Sequence, residues 1–155
     1  MHMSVPGFGR RLVWILFLPL IWLGCQTHPS NPSGHLAWVV ITNQPMTRVE
    51  QITRAVFAAH EYQIARPKQG QLVFEKEGTG MNTLVYGDWS SKKVWIRAKV
   101  FTQDSSAQVL LACDGYVVVD HGDAHFEEEH KLTGMHRGRF QDLLDEISQR
   151  LKLSD

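Results

Sequence analysis

Lys93-Val94-Trp95-Ile96-Arg97-Ala98-Lys99-Val100-Phe101-Thr102 is the stretch on which the fold turns. Val94, Ile96, Ala98 and Val100 fall on one side of an alternation, and Lys93, Trp95, Arg97, Lys99 and Phe101 on the other. Successive strand side chains point to opposite faces, so the pattern specifies a β-strand and not a helix. A strand with one apolar and one largely polar face belongs to an antiparallel sheet that covers a core on one side only.

The same rhythm continues outward. Leu72-Val73-Phe74-Glu75-Lys76-Glu77 alternates and stops at Gly78-Thr79-Gly80, and Thr83 to Tyr86 is a shorter run bounded by Gly87-Asp88. Beyond the turn at Asp104-Ser105-Ser106, residues 107–120 are strand-like again. Asp114-Gly115 within that run fits either a hairpin turn or a bulge. The bulge is preferred, because His121-Gly122-Asp123 offers a later turn that pairs residues 116–119 with residues 126–132. Upstream, Leu36-Ala37-Trp38-Val39-Val40-Ile41 is a short apolar strand.

Two segments change period. Thr47-Arg48-Val49-Glu50 has the spacing of a capping box, in which Thr and Glu side chains satisfy each other's backbone amides. Val49, Ile52, Val56 and Ala59 then form the apolar stripe of a helix of about 13 residues, predicted to end before Arg66-Pro67. At the other end, Phe140, Leu143, Leu144, Ile147 and Leu151 share one helical stripe, with Asp142, Asp145, Glu146 and Arg150 off it. The predicted order is strand, helix, a meander of strands, helix. Short turns make the sheet mostly antiparallel. Each helix must bury its stripe, and the apolar face of the sheet is the available partner. The expected fold class is α+β: a two-layer sandwich with two helices packed on one face, residues 35–155 forming a single domain.

The N-terminus has a different character. Arg10 and Arg11 precede residues 12–24, which carry no charge and include Pro19. Spanning a bilayer takes about 20 apolar residues, so this run is short for a membrane helix. A basic segment, a short apolar run and small residues in that order make a secretory signal peptide. Leu23-Gly24-Cys25 at its end resembles the lipobox of bacterial lipoprotein precursors. That resemblance implies cleavage after residue 24, a lipid on Cys25 and attachment to a membrane; Gln26, in place of Asp, implies transfer to the outer membrane, facing the periplasm. Residues 25–34, rich in Pro and Ser, then read as a lipidated flexible tether. The plain alternative for Cys25 is a disulfide with Cys113, but Cys113 lies in an apolar run and reads as a small buried hydrophobe.

The composition of the whole chain, 155 residues with 43% hydrophobic and 21% charged, is that of an ordinary globular protein. Its 16 basic residues match its 16 acidic ones, and Arg10 and Arg11 leave with the signal, so the mature chain is slightly acidic. Nucleic acid is not the expected partner. No Gly-x-Ser-x-Gly, phosphate loop or His-Glu-x-x-His occurs. No catalytic residue, cofactor or metal is therefore assigned.

Three clusters remain. Asp120, His121, Asp123 and His125 combine imidazole and carboxylate, the donors of a divalent-metal site, but their spacing matches no metal motif, and alternating charge on an edge strand is the plainer reading. Trp95, Arg97, Lys99 and Phe101 alternate aromatic and basic groups on the face away from the core. They are the candidate contact surface for an envelope protein partner, against the plainer reading of cross-strand pairs that stabilise the sheet and the further one of an anionic polymer stacked on the aromatic rings. His136-Arg137-Gly138-Arg139 opens the last helix, where cations are disfavoured by the dipole; an anion held there is the alternative to solvated arginines. The function expected from all this is a lipid-anchored, non-enzymatic structural or interaction module; the alternative is a ligand-binding or catalytic domain with a pocket between sheet and helices.

Overall fold

The computed structural model describes residues 34–65, 71–78, 94–105 and 107–153. Along them run β1 (Ala37–Thr42), α1 (Met46–Ala59), β2 (Gln63–Ile64), β3 (Gln71–Glu77), β4 (Trp95–Ser105), β5 (Gln108–Val119), β6 (Glu128–Lys131) and α2 (Arg137–Lys152). A 3₁₀ turn at Gly134–His136 leads directly into α2. The strand expected at Thr83–Tyr86 lies outside the described residues, as does Cys25.

The architecture is the α+β sandwich expected. Strands β2-β3-β4-β5 form an antiparallel meander, and the other edge of β5 is shared by β1 and β6. β1 pairs with residues 108–113 and β6 with residues 116–119, so β5 is the spine of the sheet. The turn after β5 lies where residues 121–123 placed it, with Asp120 at φ +53° and Gly122 at φ +85°.

Asp114-Gly115 is neither a turn nor a bulge. The β4–β5 register runs unbroken from Trp95↔Val118 to Ser105↔Gln108, with Ala98 opposite Gly115. Glycine stands there for another reason: a Cβ would lie 2.4 Å from Cε2 of Phe140, so α2 could not approach the sheet so closely.

The core lies between the helices and the face carrying Ile96, Ala98 and Val100, joined by Phe57, Phe74, Phe140 and Leu144. All five stripe residues of the last helix are buried. In α1, Val49 and Val56 are buried as expected, but Thr53 and Phe57 complete the inner face while Ala59 is exposed. Thr53 is tolerated there because its hydroxyl donates to the Val49 carbonyl at 2.7 Å.

The start of α1 differs from the expectation, while its end at Ala59 falls before Arg66-Pro67 as the pattern required. The capping box does not form, since the helix starts at Met46 with Pro45 as its cap and no side chain capping it. The Pro45 carbonyl accepts the amides of Arg48 and Val49 at 3.0 and 3.1 Å, which places Thr47 inside the first turn. The helix stops at Ala59 because Glu61, at φ +67°, turns the chain into β2, a two-residue strand the sequence pattern did not reveal. At the opposite edge, Gln141 of α2 covers β1: its amide nitrogen donates to the Trp38 carbonyl at 3.1 Å and its oxygen accepts the Trp38 amide at 3.4 Å.

Candidate functional site

Trp95, Arg97, Lys99 and Phe101 share the open face of β4, as their alternation requires. Antiparallel register sets the partners of each: Arg97 faces Glu75 on β3 and Tyr116 on β5, and Lys99 faces Val73 and Asp114. The loop after β5 and strand β6 then bring further carboxylates over the same face.

Arg97 sits at the centre of an acidic ring. Its Nε donates to Glu75, and its Nη1 donates to Glu127 at 2.8 Å and to Glu129 at 2.5 Å. Its side chain is only 13% exposed. Burial alone would lower the guanidinium pKa, but the hydrogen bonds with Glu127, Glu129 and Glu75 outweigh it and hold it above its ordinary value. The reciprocal effect lowers Glu127, chiefly through Arg97. Glu129 is lowered too: burial works against its ionisation, but hydrogen bonds from Lys99 and Arg97 prevail.

Lys99 also donates to Glu129, and its ammonium lies 4.3 Å from the centre of the Tyr116 ring. Trp95 is stacked by His121, ring centres 4.2 Å apart, while His121 Nε2 is 2.9 Å from Glu75. Phe101 is stacked by His35 at 4.6 Å. His35 Nδ1 in turn lies 2.7 Å from Asp114, whose carboxylate also accepts the Leu36 amide at 3.0 Å and pairs with Lys131 at 3.1 Å. Asp114 is 4% exposed. Burial pushes its pKa up, but His35, Lys131 and the Leu36 amide together hold it below the ordinary carboxylate range.

The four residues of the stripe are thus brought together, each engaged by a partner on the same face. A groove of about 670 Å³ runs beside them, lined by Val73, Glu75, Arg97, Lys99 and Glu129 among others. Its two cations are both paired with carboxylates, three of which line it, so it presents a slightly acidic, hydrogen-bonded surface. Such a surface offers no row of free cations to a phosphate backbone.

The Asp120–His125 group does not converge. His121 turns to Trp95 and Glu75, whereas one Asp123 oxygen accepts the amides of His125 and Phe126 at 2.9 and 3.2 Å. Among the described residues, no three His, Cys, Asp or Glu side chains are grouped to hold a metal ion. Cys113 is buried, and burial followed by the Asp114 charge pushes its thiol pKa up, leaving it protonated and unreactive.

Sequence reasoning missed Glu75, Glu127, Glu129, Asp114 and His35 as partners in this face. Glu75 was visible as the outward residue of an alternating strand; the others needed the register. No helix among the described residues is long and apolar enough to cross a membrane. The chain matches no protein-family model and no curated protein.

Proposed function

We propose that the protein is exported, anchored to the membrane by lipid on Cys25, and acts as a small non-enzymatic interaction module in the cell envelope. The observation that carries this reading is the order Arg10-Arg11, an uncharged run, Leu23-Gly24-Cys25 and a Pro- and Ser-rich tether. One acyl chain holds a protein only marginally, so lasting attachment takes the two or three chains of a lipoprotein. The non-enzymatic part draws support from a sheet face whose cations are each paired with a carboxylate and from a buried, protonated Cys113. The partner is an envelope protein that meets the face of Trp95, Arg97, Lys99 and Phe101.

Replacing Cys25 by Ala tests the anchor. The variant is expected to accumulate as an uncleaved precursor without lipid, read by intact mass and detergent partition. A mass and membrane association unchanged from the parent chain would exclude lipidation. A photo-crosslinking residue at Phe101, used in intact envelopes, is expected to trap a discrete partner, and one at exposed Ala58 on α1 is not. Equal trapping at both positions would exclude the open face as the contact surface.

A further inference from the structure

The opposite side of the domain carries a second cleft, between the end of α1, β3 and the start of α2. Its volume is about 420 Å³, and its lining includes His60, Tyr62, Lys76, Arg139, Asp142 and Glu146. Lys76 continues the inward phase of β3 after Leu72 and Phe74, so a cation is carried to the end of the apolar face. Its ammonium lies 4.5 Å from the centre of the Tyr62 ring and 3.3 Å from the His60 carbonyl. Arg139 enters from the first turn of α2.

Three observations set this cleft apart. First, neither Lys76 nor Arg139 forms an ion pair among the described residues, although every cation of the open face does. Burial and then the charge of Arg139 hold the Lys76 ammonium pKa below its ordinary value, against a smaller opposing pull from the Glu61 carboxylate. Second, Tyr62 is 4% exposed, yet its hydroxyl has no hydrogen-bond partner. An unpaired buried hydroxyl is costly, and burial pushes its pKa up to about 12, so it is a neutral donor awaiting an acceptor. Third, the first turn of α2 holds no acidic residue, so no carboxylate of that turn offsets Arg139.

We propose that this cleft binds a phosphate-class oxyanion, held by Arg139 and Lys76 and hydrogen-bonded by the Tyr62 hydroxyl. A tetrahedral oxyanion has enough acceptor oxygens to engage a guanidinium, an ammonium and a phenol together, and guanidinium geometry matches it. Glu146 does not compete for these cations, because His60 and Arg150 hold its two oxygens at 2.8 and 2.6 Å. Asp142 is the remaining negative charge in the lining and weakens the site. The phosphate group can be free or belong to a lipid headgroup, and both sources share this chemistry.

The test is a titration of the isotope-labelled full chain followed by backbone amide shifts, with inorganic phosphate, with glycerophosphoglycerol as a soluble phosphodiester headgroup, and with chloride at equal ionic strength. Saturable shifts at Lys76, Gly138 and Arg139 beyond those from chloride are expected. They should weaken about tenfold in Arg139→Gln and severalfold in Tyr62→Phe, the scale of one hydrogen bond to a charged group. Asp142→Asn should tighten binding. Tyr62→Phe deletes a hydroxyl without a partner, so its thermal stability should not fall, which separates lost ligand contact from lost folding. Tighter binding of inorganic phosphate identifies the free ion, and tighter binding of the diester identifies a lipid headgroup. The proposal is overturned if neither ligand gives saturable shifts, or if Arg139→Gln and Tyr62→Phe bind both as the parent chain does.

Discussion

Gly115→Ala is the substitution that most directly probes how α2 meets the sheet. An added methyl would sit 2.4 and 2.5 Å from Cε2 and Cζ of Phe140 and 3.1 Å from Cδ1 of Leu132. Carbon atoms rest about 3.5–4.0 Å apart, so the overlap with the ring is roughly 1 Å. Phe140 is 1% exposed, and it borders a cleft of only about 200 Å³ beside Leu132 and Met135. Overpacking of this kind costs about 1–3 kcal/mol. Against it stands a gain of about 0.5–1 kcal/mol, because Ala loses less backbone freedom than Gly in a strand. The net expectation is a loss of about 1–2 kcal/mol. Phe140→Leu alone should cost about 1–2 kcal/mol through the space it leaves. Together the two should cost clearly less than their sum, by about 1 kcal/mol, since the new methyl fills part of the vacated volume. Urea unfolding measures all four corners of the cycle, with midpoints falling and slopes unchanged. A Gly115→Ala midpoint equal to or above that of the parent chain would refute the packing argument. So would strict additivity in the double variant, which is what a glycine serving a bulge predicts.

Arg97→Met should destabilise the domain by about 2–4 kcal/mol, because it leaves Glu75, Glu127 and Glu129 facing one another on a half-buried surface. A loss below about 1 kcal/mol in thermal unfolding would reduce the cluster to ordinary surface pairing. Acid should act on the same groups. Asp114, Glu127 and Glu129 have folded pKa values below their ordinary ones, so their stabilisation is complete above the unfolded carboxylate range and is lost as pH falls through the depressed values. Their share of the stability should be constant from pH 7 down to about 5 and fall below about pH 4, the ordinary carboxylate range; denaturation midpoints of the parent chain that rise toward pH 3 would contradict this. Gln141→Ala uncovers the Trp38 amide and carbonyl at the β1 edge and should promote self-association through that strand. Analytical ultracentrifugation showing the same association state as the parent chain at high concentration would argue against a protective role.

The parts of this fold that were legible in the sequence are those in which one element states its own environment. The α2 stripe of Phe140, Leu143, Leu144, Ile147 and Leu151 is a local periodicity, and a 3.6-residue repeat requires no knowledge of what lies opposite. The same holds for β4, whose faces are assigned by parity alone. Register is another matter. Arg97 meets carboxylates 22, 30 and 32 residues away, and the alternation of each strand is unchanged if its partner slides by two. The site could therefore be read as a row of side chains but not as a closed ion-pair ring, and a row of exposed cations is a different surface from a neutralised one. Asp114-Gly115 shows the same limit from the other side. As a dipeptide it is a strong turn signal, yet tertiary contacts override it: the Gly is required by the Phe140 ring, and the Asp is held by His35 and Lys131. Lys76 points the opposite way. It occupies the inward phase of β3 behind Leu72 and Phe74, so parity alone set a cation on the core side of the sheet. A charge carried into the apolar phase of a strand must find a counter-charge, reach solvent or meet a ligand. Lys76 has no ion pair among the described residues, and it shares its cleft with the unpartnered hydroxyl of Tyr62. The arginines that open the last helix and the parity mismatch of Lys76 were therefore two separate sequence signals, and they became one anion cleft only when the fold set Arg139 beside Lys76.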